Sequence, residues 1–87
     1  MKTFEELFAE VSAKASGDPD ASNTARLVTS GVHAIGKKIV EEAAEVWMAA
    51  EYQSLDETSE EIAQLIYHLQ VLMVSKGITL KDIEKHL

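Results

Sequence analysis

The stretch SLDETSEEIAQLIYHLQVLMVSKG, Ser54–Gly77, decides the fold. Ser54-Leu55-Asp56-Glu57 has the form of a capping box, in which a hydroxyl accepts from an early amide and a carboxylate three residues on reaches back. Ile62, Leu65, Ile66, Leu69, Leu72 and Met73 then recur at three- and four-residue spacing, which places them on one face of a helix. Gly77 stands where such a helix closes, in a left-handed residue. Ala63, Tyr67, Val71 and Val74 carry the apolar surface most of the way round. A helix this apolar is buried on more than one side, and a chain of 87 residues has little to cover it with. Two protomers sharing one helical bundle would supply the cover, so a homodimer or larger assembly is expected.

Working outward, Gly31 to Glu51 is rich in Ala, Glu, Lys, Ile and Val with no breaker beyond Gly36, and predicts a second long helix. Thr3-Phe4-Glu5-Glu6 is another capping box and opens a first helix over Thr3 to Ala15. Ser16 to Asn23 is dense in turn formers and predicts a loop. Thr79-Leu80-Lys81-Asp82 begins a last short helix. No segment alternates for long enough to be a strand, and no repeat is present. The expected fold is all-α: one domain, residues 1–87, with two long antiparallel helices and a shorter helix at each end.

The chain has no cysteine and one proline, and 46% of its residues are hydrophobic. Disulfides, cysteine zinc sites and thiol nucleophiles are therefore excluded, and the fold rests on packing. Met1 to Glu10 is polar and acidic, unlike a secretory leader, and no apolar run reaches the roughly 18 residues of a membrane span. A cytoplasmic protein without a membrane partner is expected. The net charge of −7 is uneven: Glu41 to Glu61 holds eight acids and no base, so the remainder sums to +1. Without a basic stripe such a chain is unsuited to nucleic acid, and its localised excess calls for a cation.

Where that cation would sit follows from helix periodicity. Glu57, Glu61, Gln64 and His68 form one polar stripe on the most apolar helix, and Lys38, Glu42 and Glu45 form another on the helix before it, with Glu41 one position round. In an antiparallel hairpin the two stripes can face each other. Carboxylates converging among apolar neighbours are stable only if protonated or holding a cation. Oxygen donors without His or Cys suit a hard ion, Mg2+ or Mn2+, rather than zinc. The plainer alternative is a solvated Glu-rich surface, because Glu is also a good helix former. Glu57 is assigned to capping, and Glu51 and Asp56 and Glu60 to solvent.

The cations invite two readings each. Lys37 and Lys38 can hold phosphate oxygens beside a metal or form salt bridges to Glu41 and Glu42 one turn on. Arg26 is either a phosphate contact or a surface charge. His33 and His68 read as hydrogen-bonded helix residues, His86 as incidental, and Trp47 and Tyr67 as packing residues.

Taken together, Lys37-Lys38-Ile39-Val40-Glu41-Glu42-Ala43-Ala44-Glu45-Val46, Glu61-Ile62-Ala63-Gln64-Leu65-Ile66-Tyr67-His68-Leu69 and Lys76-Gly77-Ile78-Thr79-Leu80-Lys81-Asp82-Ile83 resemble the phosphoribosyl-ATP pyrophosphatase family of histidine biosynthesis. That family falls within the MazG-like all-α nucleotide pyrophosphohydrolases, marked by Glu-Glu-x-x-Glu and a later Glu-x-x-Asp. The likeness runs from Thr3-Phe4 through Ser22-x-Thr24-x-Arg26-Leu27 to the end. This chain departs at Gln64, where the family has Asp, and at Asn23 and Val40, where Tyr and Gly are expected. The resemblance implies Mg2+-assisted hydrolysis of phosphoribosyl-ATP to phosphoribosyl-AMP and pyrophosphate, the second step of histidine biosynthesis. It further implies Glu42, Glu45 and Glu61 as metal ligands, with the amide oxygen of Gln64 able to join them, and Glu41 or one of the three orienting the attacking water. Lys37, Lys38 and Arg26 are the candidates for the remaining phosphate oxygens.

Two competing readings accompany this one. A house-cleaning dNTP pyrophosphohydrolase acting on dUTP or dCTP would use the same metal chemistry and differ only in substrate. A non-catalytic helical dimer would leave the acids solvated, and Glu42→Gln would then be neutral or stabilising.

Overall fold

The computed structural model describes residues 1–87 as five helices without strands: α1 (Phe4–Lys14), α2 (Asn23–Ser30), α3 (Val32–Tyr52), α4 (Leu55–Lys76) and α5 (Leu80–Glu84). The capping boxes at Thr3, Ser54 and Thr79 all form, each hydroxyl accepting from the amide three residues on while that residue's carboxylate accepts from the cap amide. At the far end of α4, Gly77 takes φ +72, and the Ile78 amide donates to the Met73 carbonyl at 2.8 Å, closing the helix in a Schellman turn.

The sequence reading has four helices, and the structure has five. The addition is α2, which begins at Asn23, the last residue of the predicted loop. Ser22 caps it by accepting from the Ala25 amide at 3.2 Å, and Thr24 and Ala25 are buried. Its signal was hidden in a turn-rich stretch because Ser22 has no acidic residue three positions on, and α2 is only eight residues long. Gly31, at φ +95, separates α2 from α3, a conformation that L side chains avoid. Loop 15–22 is ordered by its own bonds: the amides of Ala21 and Ser22 donate to the Asp18 carbonyl, and the Asp20 amide donates to the Asp18 carboxylate.

The two long helices form the predicted antiparallel hairpin, joined only by Gln53 and Ser54. Helices α1 and α2 lie against its upper half, so Val11, Ile35 and Val71 meet in a core surrounded by Leu7, Leu27, Val28, Ile39, Tyr67, Leu72 and Val74. Only ten side chains are buried. Much apolar surface is left outside, including Val40, Trp47, Met48, Tyr52 and Leu55, and even Ile62 and Leu69 of α4 stay more than 40% exposed. Trp47 departs from its expected packing role: at 67% exposed, it donates its indole N–H to the Glu51 carboxylate at 2.9 Å. No helix is long and apolar enough to cross a membrane.

Candidate metal centre

Because the hairpin turn is so short, the register between α3 and α4 is fixed, and the two polar stripes meet as helix spacing requires. Glu42 and Glu45 come from adjacent turns of α3, and Glu61 faces them from α4. One carboxylate oxygen from each lies within 4.8 Å of the other two. Glu42 is 8% exposed, Glu61 half-buried and Glu45 exposed, so the group opens to solvent on one side.

The electrostatics express that crowding. Burial pushes the Glu42 carboxyl above the ordinary range, the adjoining Glu45 carboxyl pushes it further, and His68 and Lys38 only partly offset them. Burial likewise raises Glu61, reinforced by Glu45, Glu42 and Glu60. The cost that Glu42 and Glu61 bear in their ionised forms is what a cation would relieve. Around an octahedral Mg2+, with ligands at roughly 2.0–2.1 Å, oxygen atoms lie at most about 4.2 Å apart. At most one pair of three ligands stands that far apart and adjacent ligands are about 2.9 Å apart, so the flexible Glu side chains would have to draw together around an ion. The donor set is all oxygen, which fits a hard divalent ion.

Of the cations expected at the site, Lys38 alone contacts this group. Lys38 reaches the Glu41 carboxylate at 3.5 Å and Glu42 at 3.9 Å, so the salt bridges anticipated for the lysine pair are made by Lys38 alone. Lys37 is exposed with no carboxylate within 4 Å. Gln64 is exposed one turn beyond Glu61, and its backbone carbonyl accepts from the buried His68 ring at 2.8 Å. A carbonyl only accepts, so the proton is on Nδ1 of His68 and the Nε2 atom is left for other partners. This matches the helix-bonded role expected for His68. Glu57 caps α4 as expected.

Arg26 is tied down: one guanidinium nitrogen donates to the Pro19 carbonyl at 3.0 Å and another to the Asn23 side-chain oxygen at 3.1 Å. The Asn23 amide in turn donates to the Tyr67 hydroxyl at 3.4 Å, and that hydroxyl shares a 2.7 Å hydrogen bond with buried Thr24. Arg26 therefore fastens loop 15–22 to α2, and Tyr67 fastens α2 to α4. Tyr67 also meets His68 edge-on, with ring centroids 5.1 Å apart. The sequence singles out Thr24 and Arg26 only through the family likeness, and nothing local to Asn23 announces a partner 44 residues away.

Beside Glu45 and Glu61, toward the hairpin turn, lies a cavity of about 270 Å3 completed by Met48, Ala49 and Gln53. No sequence signal marked these three. They follow the Glu42-x-x-Glu45 spacing on the same face of α3, and that continuation was the available clue.

Comparison with known proteins agrees with the geometry. The family model for phosphoribosyl-ATP pyrophosphohydrolase matches residues 1–87. Phosphoribosyl-ATP pyrophosphatases of Streptomyces avermitilis and Streptomyces coelicolor are each 66% identical to this chain, over 99% of it and 97% of their own length. An all-α hairpin with Glu42, Glu45 and Glu61 gathered at one place, together with a match along its whole length, shows that this chain belongs to the phosphoribosyl-ATP pyrophosphohydrolase family.

Proposed function

We propose that residues 1–87 form one catalytic unit that hydrolyses phosphoribosyl-ATP to phosphoribosyl-AMP and pyrophosphate, the second step of histidine biosynthesis, in the cytoplasm. The observation that carries this reading is the convergence of Glu42, Glu45 and Glu61 in a chain of this family. These three, with the amide oxygen of Gln64, would hold Mg2+, for which Mn2+ is a chemical substitute. A bound divalent ion would neutralise charge on the polyphosphate and on the leaving pyrophosphate.

The protein's own groups supply the rest. Glu41 lies beside Glu42 but outside the three-carboxylate group, where it pairs with Lys38, and once Lys38 turns to phosphate it would orient a water and accept its proton. That water's oxygen bonds to phosphorus as the bridging oxygen departs with pyrophosphate, in line with the attack. Lys38, one turn from Glu42, is placed to move from carboxylate to phosphate oxygens when substrate arrives. Lys37 and Arg26 are further cations for the substrate, Arg26 in addition to its loop contacts. Homodimerisation through the exposed apolar surface of α3 and α4 would cover Val40, Trp47, Ile62 and Leu69.

Pyrophosphate release from phosphoribosyl-ATP, dUTP and dCTP, measured side by side with Mg2+, tests the reading. Release from phosphoribosyl-ATP that EDTA stops and Glu42→Gln abolishes is expected. Turnover confined to dUTP or dCTP, or release that continues in EDTA, overturns it.

A further inference from the structure

Of the two polar stripes that face each other across the hairpin, only Glu42 and His68 are buried, at 8% and 5% exposed. A buried imidazole has two nitrogens to satisfy. Nδ1 is satisfied by the Gln64 carbonyl at 2.8 Å and carries the proton, so Nε2 holds a lone pair, and no group of the chain donates to it. Nε2 is nevertheless not sealed in: the one fully enclosed side-chain polar atom without a partner is Gln70 Oε1, between α1 and α4. The His68 lone pair therefore opens onto space that a small donor can reach. Helix geometry decides which space. Side chains lean toward the N-terminus of their own helix. Across an antiparallel pair Glu42 leans toward the level of His68, and His68 leans back toward Gln64, so their tips converge on the inner side of the carboxylate group. The Glu42 carboxyl feels the ring, since His68 and Lys38 are the two groups that draw its pKa down. Tyr67 braces the ring from the other side, meeting it edge-on at 84° with its own hydroxyl fastened to Thr24 at 2.7 Å.

We infer that His68 is a positioning residue of the metal centre, offering its Nε2 lone pair on the buried side of Glu42 as the acceptor for a water that arrives with the ion. This rests on the metal site proposed above and adds what stands behind its ligands. Mg2+ gives up its waters reluctantly and keeps several when carboxylates bind it. A water on a cation is a strong donor, and a fixed acceptor behind it orients both that water and the carboxylate beside it. An imidazole suits the place because it accepts as another Glu would, without adding a further negative charge to a crowded, half-enclosed site. The same role gives a reason for the Thr24–Tyr67 contact to lie where it does, since a wandering ring would orient nothing.

The test separates the two ring nitrogens. Asn can reproduce the Nδ1 donor and Gln the Nε2 acceptor, while both lose the ring against Tyr67. Mn2+ binding to the full chain, by electron paramagnetic resonance, should weaken about tenfold in His68→Asn and stay within about twofold of the unmodified protein in His68→Gln. Thermal melts in EDTA should show both variants folded and destabilised alike. In the unmodified protein, the imidazole nitrogen resonances should place the proton on Nδ1, and Mg2+ should move the Nε2 resonance upfield, as accepting a hydrogen bond does, without moving that proton. Equal Mn2+ affinity in the two variants, or the reverse order, overturns the role of His68. So does an Nε2 resonance that ignores Mg2+, a result that needs no variant to fold. Failure of Mn2+ to bind the unmodified protein sinks the metal centre itself and the role of His68 with it, whereas Mn2+ binding without the Asn–Gln difference sinks the role of His68 alone.

Discussion

Replacing Glu42 by Gln should stabilise the metal-free protein and destabilise it, relative to wild type, once Mg2+ is added. The amide keeps the shape of the carboxylate and removes one negative charge from a site that is 8% exposed. At the 4.8 Å limit of the group, repulsion from Glu45 amounts to about 0.9 kcal/mol even at the dielectric of water, and attraction to Lys38 at 3.9 Å to about 1.1 kcal/mol. Those two nearly cancel. The balance is then set by desolvation and by the facing Glu61, and the raised pKa of Glu42 shows that the unfavourable contributions win. A gain of about 0.5–1 kcal/mol is expected, or about 2–8 °C in Tm for a chain this size. Mg2+ at ten times its dissociation constant adds about 1.4 kcal/mol to wild type, or about 6–11 °C, and should add little to a variant lacking one of three carboxylates. Thermal melts at one protein concentration, in EDTA and in Mg2+, should therefore cross. A variant less stable than wild type in EDTA would refute the electrostatic argument, and an equal Mg2+ shift in both proteins would refute the metal site.

The pH dependence carries opposite signs at two places. Glu42 and Glu61 hold protons in the folded chain above the ordinary 4.5, so their contribution is fully present below that value and is lost as pH rises through their folded values. Melts in EDTA from pH 4.5 to 7 should show Glu42→Gln gaining on wild type as pH climbs, and a constant gap would contradict this. Glu10, brought down to about 2 by Lys2 and Lys14, behaves the other way, so the advantage of wild type over Glu10→Gln should be present above pH 4.5 and vanish toward pH 2. Tyr67→Phe removes the partner of the buried Thr24 hydroxyl and should cost about 1 kcal/mol, or about 4–8 °C, with Mn2+ affinity by electron paramagnetic resonance unchanged. Gly77→Ala forces a Cβ into φ +72 and should cost about 1 kcal/mol by urea titration, and no loss would mean that the turn re-forms in another conformation.

What the sequence revealed and what it hid divide by range. The caps at Thr3, Ser54 and Thr79 were legible because donor and acceptor lie three residues apart. The acidic group was legible because helix periodicity fixes which residues share a face, and a two-residue turn leaves the hairpin little choice of register. Helix α2 was obscured because its support is tertiary: Thr24 gains its partner from Tyr67, and Ala25 is buried by neighbours far along the chain. Arg26 illustrates the same limit, since no local pattern announces that its guanidinium closes on the Pro19 carbonyl. Trp47 misled for a different reason. Its position at helical spacing among apolar residues resembles a core position, but within one chain that face of α3 has nothing packed over it.

The two-residue link between α3 and α4 also limits how the gene can drift in length. One residue added at Gln53–Ser54 would slide α4 by about 1.5 Å and turn it by about 100° relative to α3, carrying Glu61 away from Glu42 and Glu45 while leaving every helix intact. Loop 15–22 has no such gearing. It can lengthen near Gly17 without changing the register of Glu61 against Glu42 and Glu45. Insertions and deletions in working descendants of this gene should therefore collect before Ser22 and be missing from the hairpin turn, where substitutions alone are admitted.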